Sequence, residues 1–227
     1  MKLHRFQNPE ELNQQFAKQI TECLEKAIHQ RGHAYLAVAG GKTPLGLFKE
    51  LADADLAWEK ITITLTDERF ISPTDPDSNE FQIKQHLLKN KAANAQFISL
   101  YQPNIDELEG QEALQNRMSS VPAFDVVLLG MGEDGHTASL FPCSKELAQG
   151  LETTDNFLIV HPGKAPYKRI SLSKARLLKS RNIFLQLVGT NKLNTLEKAL
   201  SGADPLEMPI RVFLHHPEVD LQIMFAP

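Results

Sequence analysis

The 227-residue chain is 42% apolar and 23% charged, an ordinary soluble composition with length enough for a large core; a single domain over 1–227 is expected. No apolar run approaches the roughly eighteen residues of a membrane span, and the opening MKLHRFQNPEELNQQF lacks an apolar secretion segment, so a cytoplasmic location is expected. A formal net charge of −4 argues against broad nucleic-acid binding, and Cys23 and Cys143 suggest neither a disulfide framework nor metal-ligand spacing.

In chain order, the periodicity predicts a helix near 9–30, a strand near 34–39, a helix near 44–54 and a strand near 61–66. A helix near 79–90, a strand near 97–100, a helix near 105–119 and a strand near 124–130 follow. Further strands are expected near 156–161, 169–173 and 182–188, a helix near 191–200, and strands near 210–214 and 221–225. Alternation of this kind predicts an α/β fold: a Rossmann-like open, largely parallel sheet flanked by helices. The segment SPTDPDS at 72–78 reads as a local excursion. In such sheets ligands gather beyond the carboxyl ends of the strands, where helix N-termini expose free N–H groups.

Four strand ends carry chemistry. AYLAVA runs into Gly40-Gly41-Lys42-Thr43-Pro44, with Thr43 a candidate helix cap and Pro44 suited to a first helical position. A phosphate-loop ATPase is excluded, because the pattern needs glycine five residues before Gly41 and Leu36 stands there. What survives is an anion contact from Gly40, Gly41 and Lys42, with a plain tight turn as the alternative.

ITITLTDERF places Ile61, Ile63 and Leu65 on one face and then delivers Asp67-Glu68-Arg69. Such a triplet is either a solvated ion cluster or, at this edge, a site in which Arg69 grips a phosphate and Asp67 accepts from hydroxyls or orients a neighbour. The third end is GMGEDGHTASLFP. Gly130, Gly132 and Gly135 are expected to permit close approach and unusual dihedrals, and His136 emerges beside Asp134, a carboxylate able to orient an imidazole acting as general base. Residues 130–135 also match G-x-G-x-x-G, but Pro142 interrupts early and Asp155 lies at the wrong end of the next strand for a dinucleotide site.

The fourth end, IFLQLVG, passes into Thr190-Asn191-Lys192, with Thr190 a candidate cap and Lys192 either a phosphate contact or a solvated lysine. Arg169, at the start of RISLS, is a further basic candidate with a surface role as the alternative. His215 and His216, expected to end a strand, read as structural or rim groups.

AGGKTP, TDERF, SNE, GMGEDGHTASLFP, RISLS and VGTNK, in this order over nearly the whole chain, resemble the 6-phosphogluconolactonases of the wider sugar-phosphate isomerase/deaminase group. The resemblance implies hydrolysis of 6-phospho-D-glucono-1,5-lactone to 6-phosphogluconate in the oxidative pentose phosphate pathway. His136 would be the general base, Asp134 or Asp67 would orient it or the substrate, and Arg69 and Lys192, with the Gly40-Gly41 turn and Arg169, would hold the phosphate. It also implies a monomer. Hydrolysis transfers no electrons, so no cofactor and no metal are called for. Glucosamine-6-phosphate deaminases share the glycine turn and Asp-Gly-His but typically place glutamate five residues after the histidine, where this chain has Phe141, which cannot transfer a proton. Cys143 stands where lactonases often have glycine. A non-catalytic sugar-phosphate sensor is the remaining alternative.

Overall fold

The computed structural model describes residues 1–227. Its strands are β1 (Lys2–Arg5), β2 (Ala34–Val38), β3 (Ile61–Leu65), β4 (Asp67–Arg69), β5 (Gln96–Ile98), β6 (Val126–Leu129), β7 (Phe157–Val160), β8 (Arg169–Leu172), β9 (Ile183–Val188) and β10 (Gln222–Ala226). Its helices are α1 (Pro9–Arg31), α2 (Leu45–Ala52), α3 (Asn79–His86), α4 (Leu108–Ser119), α5 (Leu147–Glu152), α6 (Lys174–Leu178), α7 (Thr190–Ser201) and α8 (Arg211–Leu214). No helix is long and apolar enough to cross a membrane.

Seven strands form one sheet in the order β1-β10-β9-β6-β2-β3-β5, and every pairing in it is parallel. Both faces of such a sheet are covered, which explains why all five residues of β3 are buried although its sequence alternates Ile with Thr. The hydroxyls on the second face are satisfied locally, Thr64 donating to the Ile98 carbonyl at 2.8 Å and Thr62 meeting His33 Nε2 at 2.8 Å. Helix α1 is set by Asn8, whose side chain accepts from Glu11 N, by Pro9 in the first turn and by Gly32 at φ 77°. Its apolar stripe, including Leu12, Phe16, Ile20 and Leu24, enters a main core of 49 buried residues, with Phe16 against Phe184 of β9 at 5.1 Å.

From β2 the chain builds β3 and β5 on one side, then returns to lay β6, β9 and β10 on the other. The order therefore reverses between β2 and β6, and a crevice opens there beyond the carboxyl ends of the strands, because their outgoing connections diverge. The crevice is walled by a second, three-stranded antiparallel sheet, β4-β8-β7.

The expected strands near 156–161 and 169–173 form in this second sheet, outside the parallel one, where the pairs are antiparallel, β4 to β8 and β8 to β7. The segment expected as a strand at 210–214 is instead helix α8, Arg211–Leu214, capped by Ile210. A short apolar run does not distinguish the two by periodicity, and here buried Arg211 ties the turn to α7 by donating to the Ala199 and Lys198 carbonyls. His215 and His216 accordingly follow a helix. Neither expected threonine cap forms: Pro44 is the cap of α2 with no side-chain bond, and Gly189 is the cap of α7, which places Thr190 inside the helix. Edge strand β1 and the short helices α5 and α6 are additions to the sequence reading.

Candidate active site

Strand β6 is wholly buried and ends in the turn from Gly130 to His136, where the backbone folds on itself through Gly132 N donating to the His136 carbonyl at 2.9 Å. The imidazole lies over Gly132 so closely that a Cβ there would sit 2.1 Å from Nδ1 and 2.7 Å from Asp134 Oδ1. Gly135 adopts φ 76°, in the left-handed region, whereas Gly130 has neither a close neighbour nor an unusual dihedral, so the expectation fails for that glycine. The turn passes into a bridge between Thr137 and Leu140 and not into a helix, so the dinucleotide pattern lacks the helix N-terminus it needs.

His136 Nδ1 donates to Asp134 Oδ1 at 2.6 Å, and the His136 backbone N–H reaches the same oxygen at 3.1 Å. The hydrogen bond from His136 holds the Asp134 carboxyl below the usual aspartate range, against the opposing effect of partial burial. An ionised carboxylate only accepts, so the shared proton belongs to Nδ1. Nε2 is left with its lone pair and no protein partner, the state a general base requires. Phe141 packs on the imidazole, with ring centroids 4.3 Å apart and 33° between the planes. An apolar ring thus fills the position after the histidine motif.

Asp67 does not orient His136 in this structure. Its Oδ2 accepts from Ser139, its carbonyl accepts from Asn79 Nδ2 at 2.8 Å, and it is 7% exposed. The neighbouring Glu68 is fully buried and faces four donors: the N–H groups of Arg69, Asn79 and Glu80 and the Ser78 hydroxyl. Burial pushes the Glu68 carboxyl up while those donors pull it down. Glu68 therefore fastens the start of α3 to β4 and is a structural acid.

His136, Asp67, the Gly40–Lys42 turn, Arg69, Arg169 and Lys192 line one cleft of about 340 Å³, with Asp134 behind the histidine. Four cations thus meet at one place on a chain whose net charge is −4. Register β4–β8 sets Arg69 directly opposite Arg169. Like charges opposed across a strand pair are unfavourable unless an anion joins them. Burial lowers the affinity of Arg169 for its proton, Asp67 opposing and Arg69 reinforcing the shift. Arg169 is 6% exposed, so its surface alternative is excluded; Lys192 is half-buried, with Nζ donating to the Met131 carbonyl at 2.9 Å, and is not a free surface lysine. Lys42 is exposed.

Sequence reasoning missed Asn79 and Gln186. Both are buried, both line the cleft, and each leaves a side-chain oxygen without a partner; the Nε atoms of Arg69 and Arg169 are likewise unmet. A cleft whose buried polar atoms lack protein partners is built for a polar occupant. In Gln186 a signal was available, a lone amide within the apolar strand IFLQLV. For Asn79 the signal was its place in SNE, one of the segments that carry the resemblance, directly after the capping Ser78, which accepts from Phe81 N.

A family model described as glucosamine-6-phosphate isomerases/6-phosphogluconolactonase matches residues 7–222. A 6-phosphogluconolactonase from Pseudomonas putida is 39% identical over 233 residues, covering 100% of this chain and 93% of the relative. The crystal structure of a 6-phosphogluconolactonase from Shewanella baltica superposes with a TM-score of 0.97 at 40% identity, covering 100% of this chain and 98% of the other. A monomeric glucosamine-6-phosphate deaminase has a TM-score of 0.81 at 22% identity over 100% of this chain and 97% of its own, a likeness of fold alone. On the family match and the full-length identity, the chain belongs to the glucosamine-6-phosphate isomerase/6-phosphogluconolactonase family.

Proposed function

We propose that the protein hydrolyses 6-phospho-D-glucono-1,5-lactone to 6-phosphogluconate, with His136 as general base. The observation that carries the mechanism is the 2.6 Å contact between His136 Nδ1 and Asp134 Oδ1, which assigns a proton to Nδ1 and leaves Nε2 as the base at the cleft that His136 lines. His136 Nε2 takes a proton from water as its oxygen adds to the lactone carbonyl. The ionised Asp134 stabilises the imidazolium that forms. Collapse of the tetrahedral intermediate breaks the bond to the ring oxygen, which receives the proton back from His136, and the carboxylic acid so formed loses its proton to solvent and leaves as the carboxylate. General-base assistance of this kind contributes about 10²–10⁴-fold.

The opposed pair Arg69 and Arg169, with Lys192 and the Gly40–Lys42 turn, would bind the phosphate; a dianion there relieves the repulsion that the register imposes. Asp67, fixed by Ser139, would accept from a substrate hydroxyl. The lactonase names of relatives at 39% and 40% identity support this reading over deamination, as does the apolar Phe141 against the base. The continuous 49-residue core supports treating 1–227 as one domain, and a monomeric cytoplasmic enzyme is part of the same proposal. The test is a direct assay with freshly generated lactone, corrected for spontaneous opening. Acceleration proportional to enzyme supports the proposal; a rate equal to the blank, with glucosamine 6-phosphate releasing ammonia instead, refutes it.

A further inference from the structure

Asn79 is 2% exposed and is held at both ends of its amide plane and backbone. Its N–H donates to Glu68 Oε1 at 2.8 Å, and its Nδ2 donates to the Asp67 carbonyl at 2.8 Å. The second bond fixes the amide orientation, because the flipped amide would set oxygen against oxygen. Oδ1 is thereby turned away from Asp67, toward Gly40, and has no protein partner. A Cβ on residue 40 would lie 2.1 Å from that oxygen and 2.3 Å from Cγ, so glycine is what leaves the amide its place. Both residues line the cleft.

An amide oxygen only accepts. The phosphate dianion, the lactone carbonyl and the ring oxygen of the proposed substrate also only accept, so none of them can satisfy Oδ1. The ring hydroxyls alone carry protons to donate. We propose that Asn79 is a specificity-determining residue whose buried Oδ1 accepts a hydrogen bond from one ring hydroxyl of the sugar phosphate. This rests on the reading of the cleft as a sugar-phosphate site. A ring lacking that hydroxyl forgoes the bond and leaves the acceptor as unmet as it is in the free protein, so it binds more weakly by what the hydrogen bond contributes.

The test uses 1,5-anhydroglucitol 6-phosphate, which has the ring, hydroxyls and phosphate but no ester to cleave, and its 2-, 3- and 4-deoxy forms. Each is titrated calorimetrically into the wild-type protein, Asn79→Ala and Gly40→Ala. The second variant puts a methyl where Oδ1 sits while leaving Asn79 in the sequence, and reading ratios between ligands cancels any general loss of affinity. In the wild type, one deoxy form is expected to bind about 10-fold more weakly than the parent. In both variants that ratio is expected to collapse to less than about 2-fold while the other two ratios stay put. Unchanged ratios for all three deoxy forms would overturn the role of Asn79 while leaving the sugar-phosphate site standing. Failure of the wild type to bind any member of the series would overturn the site itself.

Discussion

Replacing Asp134 by Asn keeps the side chain's shape and removes the charge that the imidazole leans on. The hydrogen bond is 2.6 Å long and charge-assisted, a type that contributes about 1.5–3 kcal/mol. The two side chains are 31% and 47% exposed, and solvent screening places the expected loss in the lower half of that range. With 1.36 kcal/mol per decade of rate, Asp134→Asn should lower kcat by about 10-fold and by no more than about 10²-fold. KM should hardly move, because the pair touches the base and not the phosphate end of the cleft. Stopped-flow assays at neutral pH separate kcat from KM. An unchanged kcat, or a loss appearing wholly in KM, would refute the assignment of Asp134 to the base.

Gly132→Ala should fall in kcat nearly as far as removal of the histidine, since the new methyl would sit 2.1 Å from Nδ1 and must displace the ring; retained activity would show that the turn yields. Arg69→Ala and Arg169→Ala should each weaken use of the phosphorylated lactone more than that of an unphosphorylated analogue, and equal losses for the two substrates would remove that arginine from the phosphate site. Glu68→Gln should destabilise the fold by about 2–4 kcal/mol in urea unfolding, because an amide NH2 would then face groups that all donate. A change within about 0.5 kcal/mol would contradict the four-donor arrangement.

The strand-to-loop motifs were legible in the sequence because each is contiguous: an apolar run, then glycines and charges at an edge where a parallel sheet collects its loops. His136 and Asp134 lie two residues apart, so their meeting required no knowledge of the rest of the chain. What could not be read depends on distant pairing. The triplet Asp67-Glu68-Arg69 divides its labour only because β4 leaves the main sheet to pair with β8, a hundred residues on, and because residues 78–80 fold back onto Glu68. The same pairing decides that Asp67 is fixed by Ser139 and not joined to the imidazole. Segment 210–214 has strand-like composition, yet its conformation is set by the buried Arg211 bonded to α7. Asn79 gains its meaning from Gly40, thirty-nine positions earlier, through a contact no local pattern encodes.

The most direct test of the account is single-turnover hydrolysis of the phosphorylated lactone by His136→Ala, corrected for spontaneous opening. A fall in rate of about 10²–10⁴-fold with substrate affinity retained is the predicted result; a rate within a few-fold of the wild type would contradict the claim that this imidazole activates the water.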